Sequence, residues 1–208
     1  MAFAKNVFVN CPFDRDFYPL LRPLLFTIIY LGLKPRIALE DVDSGQSRID
    51  KIVALIANSK YAIHDLSRIE ATKAGDLFRL NMPFELGIDV GCRLFGSRQR
   101  TGKKCLVLEA EPYRYKAAIS DLSGSDISYH GNEPDRIVGA VRNWLQNVCG
   151  LMRPPGPAAI WSAYTDYMAQ DYDALTAEGF SSRDIEDLPV PELIERITGW
   201  GTKNGWRG

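Results

Sequence analysis

The chain predicts an α/β fold, a flavodoxin-like (Rossmann-like) doubly wound parallel sheet of about five strands, with a small helical appendage at its C-terminal end. Three observations carry this prediction. Short apolar runs rich in β-branched and aromatic residues alternate with segments of roughly 10–15 residues whose apolar positions recur at helical spacing, as when helices cross over a parallel sheet. The 208 residues leave room for one core of about 150 residues and little more. A break rich in proline and glycine, Arg153-Pro-Pro-Gly-Pro157, stands near residue 150 and forbids regular structure across several positions.

Taken in order, Val7 to Asn10 reads as the first strand, closed by Cys11-Pro12-Phe13-Asp14, where proline stops it from continuing. Pro19 suits a first helical turn, Leu20, Leu24, Ile28 and Leu31 then recur on one helix face, and Gly32 ends the helix. A second strand is predicted over Arg36 to Leu39. The acidic segment Glu40 to Gln46 leads into a helix with Ile49, Ile52, Val53 and Ile56 on one face. Tyr61 to His64 is the third strand, running into Asp65 and a polar loop from Ser67 to Asp76. Pro83 is expected to open the next helix, Phe84 to about Leu94, and a basic, glycine-containing turn from Gly96 to Lys103 precedes a fourth strand at Cys105 to Leu108. Ile127 to Tyr129 is a short fifth strand, followed by a helix bearing Ile137, Val141, Trp144, Leu145 and Val148. This divides the chain into an α/β domain at 1–150, a linker at 151–157 and a helical tail at 158–208. Trp161, Tyr164, Met168 and Leu175 recur at helical intervals in the tail, and Pro191 opens a last helix. About 50 residues make too small a core to stand alone, so the tail is expected to dock on the main domain or on a partner.

Charge narrows the function. Lysine plus arginine total 25 and aspartate plus glutamate 26, a balance that proposes neither nucleic acid nor a membrane surface as partner. The most apolar stretch, Leu20 to Leu33, is interrupted by Arg22 and Pro23 and falls short of the roughly 20 residues of a membrane span. Four cysteines at scattered spacings, with no CxxC pair, fit reduced thiols in a cytoplasm. No GxGxxG follows the first strand and no GxxxxGK[ST] occurs, which argues against a dehydrogenase and a P-loop nucleotidase. With only two histidines, no metal-ligand cluster is legible, and no cofactor is expected.

In the strand order 2-1-3-4-5 the topological switch lies between strands one and three, so a ligand crevice is expected between the loops Asn10 to Asp14 and His64 to Ser67. Glu85, in Asn81-Met-Pro-Phe-Glu-Leu-Gly87, would sit in the first turn of the helix beside it, where the helix dipole keeps a carboxylate ionised. Such a carboxylate stabilises or attacks the oxocarbenium-like carbon formed when a ribosyl bond breaks; the alternative is a capping-box glutamate bonded to its own backbone. Asp65 is either a ribose ligand or the head of a local turn. Asn10 is a ligand or a structural amide, Asp14 a helix cap, and His64 a packed histidine. Arg98, Arg100, Lys103 and Lys104 meet phosphates or form a solvated loop. Trp161, Tyr164 and Tyr167 belong to the core, face a partner or stack on a base.

Three segments in this order, Val7-Phe-Val-Asn-Cys-Pro-Phe-Asp14, Ile63-His-Asp-Leu-Ser67 and Asn81-Met-Pro-Phe-Glu-Leu-Gly87, resemble the nucleoside 2-deoxyribosyltransferase-like and TIR-like superfamily over residues 5 to 150. The resemblance implies Glu85 as catalytic carboxylate, Asp65 as a substrate contact, and Asn10, Phe13 and Asn81 lining the sugar and base. It implies N-glycosidic cleavage of NAD or another nucleotide as substrate, in the manner of an antiviral defence hydrolase, with activity dependent on a homo-oligomer or on a partner held through the tail. The first loop departs from the small-residue loop of the transferases, and His64 stands where they carry small or apolar residues. The rival expectation is a non-catalytic sensor whose tail transmits nucleotide occupancy; a third is an inert structural domain that binds no nucleotide.

Overall fold

The computed structural model describes residues 2–40, 45–69, 79–97, 100–114, 119 and 127–206. After a short helix α1 (Ala2–Lys5), strand β1 (Asn6–Asn10) leads through a 3-10 turn (Arg15–Phe17) into α2 (Tyr18–Tyr30), and then come β2 (Lys34–Ile37), α3 (Arg48–Ala57), β3 (Tyr61–Asp65), α4 (Asn81–Phe95), β4 (Lys104–Glu109), β5 (Ile127–Tyr129) and α5 (Pro134–Cys149). The five strands are all parallel in the order β2-β1-β3-β4-β5, which makes the sheet flavodoxin-like and puts its switch point between β1 and β3.

Strand alternation decides which side chain faces which layer. Val7 and Val9 of β1, Tyr61 and Ile63 of β3, and Leu106 and Leu108 of β4 join α2 and α5 in one core. Phe8 and Ala62 point the other way, into Ile52, Leu55 and Ile56 of α3. Val107 meets Met82 and Leu86 of α4. The sheet is thus covered on both faces, and its strands are apolar on both, as parallel strands should be.

Several elements shift from the expected bounds. The second strand starts at Lys34, two residues early, and Ala38–Glu40 is a 3-10 turn rather than its end. In α3 the buried face is Ile52, Leu55 and Ile56, while Ile49 and Val53 stay exposed, because the helix rests its opposite flank on the sheet. Helix α4 starts at Asn81, with Pro83 inside its first turn, where a missing N–H costs nothing. Of the predicted loop Ser67 to Asp76 only Ser67 to Ile69 is described, and Arg98 lies outside the described residues.

The tail forms α6 (Pro157–Ala177), α7 (Ser182–Glu186) and α8 (Val190–Lys203). It docks on the main domain, as one layer over the outer side of α2 and α5. Ile160, Tyr164, Tyr167, Leu193 and Ile197 are continuous with the core of the sheet. Phe26 of α2 is the hub: Tyr167 stacks on it with centroids 5.6 Å apart, and Tyr164 and Trp206 meet it edge-on at 5.4 and 5.1 Å. The division at 151–157 is therefore a linker in the chain and not a boundary in the core. Among the described residues no helix is long and apolar enough to cross a membrane, and Cys11, Cys92, Cys105 and Cys149 are unpaired.

Candidate functional site

At the switch point a cavity of about 390 Å³ opens between the loop after β1 and the start of α4, lined by Asn10, Phe13, Arg48, Asn81, Met82 and Glu85, with Cys11, Pro12, Arg79 and Leu80 completing its wall. Four of the five side chains expected there from the sequence, Asn10, Phe13, Asn81 and Glu85, share this wall. Asp65 does not. Its parity on β3 is opposite to that of His64, which pairs in register with Asn10 and faces the α4 side. Asp65 is fully buried on the other side: Oδ1 accepts from the Ser67 amide at 2.9 Å and from the Ser67 hydroxyl, and Oδ2 accepts from His130 Nε2 at 3.0 Å. His130 Nδ1 accepts from the Asn132 amide, which fixes the proton on Nε2. Asp65 is the head of a turn, fully buried with three hydrogen bonds to its carboxylate and absent from the cavity lining.

Glu85 differs from its sequence-based expectation in both place and charge. Because α4 begins at Asn81, the glutamate lies in the second turn, beyond the orphan N–H groups, and the Leu80 cap makes no side-chain bond, so there is no capping box. Only 5 % exposed, its carboxyl is pushed up to about 7 by burial, which the Arg48 guanidinium offsets in part. The dipole argument for a permanently ionised carboxylate gives way to desolvation.

One turn deeper, Asp89 has the opposite character. Burial would raise it, but the hydrogen bond from His64 Nε2 at 3.2 Å and the Lys103 ammonium 3.0 Å from Oδ1 outweigh that and hold it below the usual carboxylate range. Lys103, read from the sequence as a phosphate contact or a solvated lysine, is instead buried: its ammonium also donates to the carbonyl of Ile56 at 2.7 Å and to that of Ser59. The ladder continues to the cavity, since Asn10 Nδ2 donates to both His64 Nδ1 at 3.0 Å and the Met82 carbonyl at 2.9 Å. His64 is therefore the Nε2–H tautomer, and Asn10 has its amide N–H groups committed, leaving Oδ1 as the polar atom it offers a ligand.

Two carboxyls four residues apart on the inward face of α4 are thus pushed in opposite directions, one kept as a buried anion and the other poised near neutrality at the cavity wall. This split makes Glu85, rather than Asp89, the carboxyl available for chemistry at the cavity. The i, i+4 spacing of Glu85 and Asp89 was readable in the sequence; Arg48 and Arg79 were missed, because they come from different elements and carry no local motif. The Cys11 thiol is pushed well up, by burial first and then by Asp65 and Glu85, so it is held as a thiol and is no nucleophile. Arg79 pairs with Asp14, whose Oδ1 caps the 3-10 turn by accepting from the Phe17 amide at 3.0 Å.

A larger cavity, 980 Å³, lies between α6 and α8, where Arg196 already pairs with Asp171 and Glu178. No group of three or more His, Cys, Asp or Glu side chains suited to a metal occurs among the described residues. No protein-family model, curated protein or solved structure matches the chain.

Proposed function

We propose that the chain cleaves the N-glycosidic bond of a nucleotide in the switch-point cavity, with Glu85 as nucleophile or as stabiliser of the oxocarbenium-like carbon. The observation that carries this reading is the Glu85 carboxyl, buried, raised to about 7 and facing a cavity that also presents two arginines and a phenyl ring. Arg48 and Arg79 suit phosphate oxygens, Phe13 suits a base or the ribose face, and the Asn10 carbonyl suits a sugar hydroxyl. When the C1′–N bond breaks, its electron pair leaves with the base; Glu85 faces the positive carbon left behind, and water then adds to it and releases a proton.

Among the described lining residues Glu85 is the only acid. An ionised Glu85 cannot also protonate a leaving base, so the site favours a base that already carries positive charge and departs neutral. A nicotinamide nucleotide such as NAD meets that condition, and its charge would draw Glu85 toward the ionised form. The test is to incubate the protein and a Glu85→Gln variant with NAD, ATP and a panel of nucleosides and to separate free base by chromatography. Release that depends on Glu85, with NAD ahead of neutral nucleosides, is expected; equal release by the variant rejects the assignment.

A second reading, a sensor that binds the nucleotide without cleaving it, has one observation in its favour. The loop after β1 touches both ends: Phe13 lines the cavity, and two residues on Arg15 pairs with Asp187 of the tail, its Nε donating to Oδ1 at 2.6 Å. Nucleotide-dependent stabilisation in wild type and Glu85→Gln alike, with no base released by either, would favour the sensor.

A further inference from the structure

The side of α4 turned away from the sheet is apolar and exposed, with no described residue covering it. Leu80, Phe84, Leu94 and Phe95 are 64, 61, 61 and 89 % exposed, and Ile49 and Val53 on neighbouring α3 are 40 and 45 % exposed. The positions 80, 84, 87, 91 and 94 follow the i, i+4, i+7 spacing of a single helix face, and none of them is ionisable. At about 200 Å² for a large apolar side chain, these exposures amount to on the order of 700 Å², against about 800 Å² per partner in a standard interface. A monomer's largest apolar patch is typically smaller, about 300–600 Å².

Gly87 and Gly91 complete the strip. A Cβ at either would meet nothing within 4 Å, so nothing among the described residues requires a glycine there. Each weakens the middle of a helix relative to alanine. What two glycines one turn apart do provide is a flat strip over which another helix can approach closely.

We propose that a second copy of this chain docks on this face, with α4 crossing α4 antiparallel about a two-fold axis. The spacing is self-complementary. Phe84 and Leu94 lie five residues to either side of position 89 and Gly87 and Gly91 two to either side, so a two-fold there sets Phe84 against the partner's Leu94 and Gly87 against the partner's Gly91. Uncharged throughout, the strip offers nothing to a charged partner, whereas a copy of itself matches it in shape and polarity. The face shares Leu80 with the cavity wall, but the inference does not depend on the cavity's chemistry.

The test is sedimentation equilibrium of the full chain across micromolar concentrations, for wild type, Gly91→Gln and Phe84→Glu. Wild type is expected at twice the chain mass, and each variant at the chain mass with the dissociation constant raised roughly 100-fold. Gly91→Gln strengthens the helix, so an unchanged or raised melting temperature separates loss of pairing from loss of fold. A monomeric wild type, or a dimer that survives both substitutions, overturns the proposal. So does a monomer that floats with neutral lipid vesicles, which would give the face to a lipid surface instead.

Discussion

With its carboxyl raised to about 7, Glu85 is half ionised near neutral pH, and that value sets a pH window for stability and, on the proposed cleavage, for rate. From the ordinary 4.5 up to about 7, the folded chain keeps a proton that the unfolded chain has released. Stability therefore falls as pH rises through this window and stays lowered above it. Glu85→Gln is expected to be more stable than wild type by about 1–2 kcal/mol at pH 8, allowing for solvent in the cavity. The difference should close by pH 4, as urea melts at the two pH values would read. The same variant should lose at least about 100-fold in kcat. For a glutamate that acts ionised, kcat/KM rises about tenfold per pH unit and levels above about 7; a fall with rising pH would make it an acid instead. Behind it, Lys103→Met strands the Asp89 anion in the interior and should cost about 3–5 kcal/mol in denaturant unfolding. Adding Asp89→Leu should recover much of that loss, because the pair is then replaced by apolar packing.

Helices and strands differ in how much of their placement was written locally. The alternation of β1, β3 and β4, the Gly32 stop after α2 and the apolar face of α5 were all legible, because each depends on residues a few positions apart. Ile49 and Val53 share a helix face with Ile52 and Ile56 in the sequence yet stay exposed, because periodicity gives the width of an apolar stripe but not which edge of it meets the sheet. The start of α4 was read two residues late, since Pro83 also fits inside a first turn, and this small error moved Glu85 from the dipole's reach into a desolvated position. Among elements, the contact of α2 with the tail carries the sharpest prediction. Phe26→Ala removes the ring around which Tyr164, Tyr167 and Trp206 pack, and should cost about 3–5 kcal/mol with faster proteolysis at 154–156. A Cβ on Gly201 would lie 2.2 Å from the Trp206 ring, so Gly201→Ala should displace that indole, visible as a change in tryptophan fluorescence.

At the scale of the whole molecule, a cut after Gly150 tests whether the α/β part stands alone. The cut strips Phe26, Leu24 and Leu25 of the core they share with the tail. A chain ending at residue 150 is expected to aggregate or to melt well below the full chain, as circular dichroism and size-exclusion chromatography would show. The linker was visible in the sequence as a composition break, yet such a break marks only where the backbone is irregular. Whether two segments share a core depends on which apolar faces meet, and those faces lie more than a hundred residues apart in the chain.

The sequence by itself determined the parallel five-stranded sheet, its switch point and four of the side chains at the cavity, because hydrophobic period and turn chemistry are local and five alternating strands with right-handed crossovers suit the order 2-1-3-4-5. Only the tertiary structure decided that Asp65 is sealed against His130, that Lys103 is buried on Asp89, that Arg48 and Arg79 border the cavity, and that Glu85 is raised to about 7 by burial rather than kept fully ionised by a helix dipole. Each of these depends on desolvation or on a partner distant in the chain, and neither is written in the spacing of neighbouring residues.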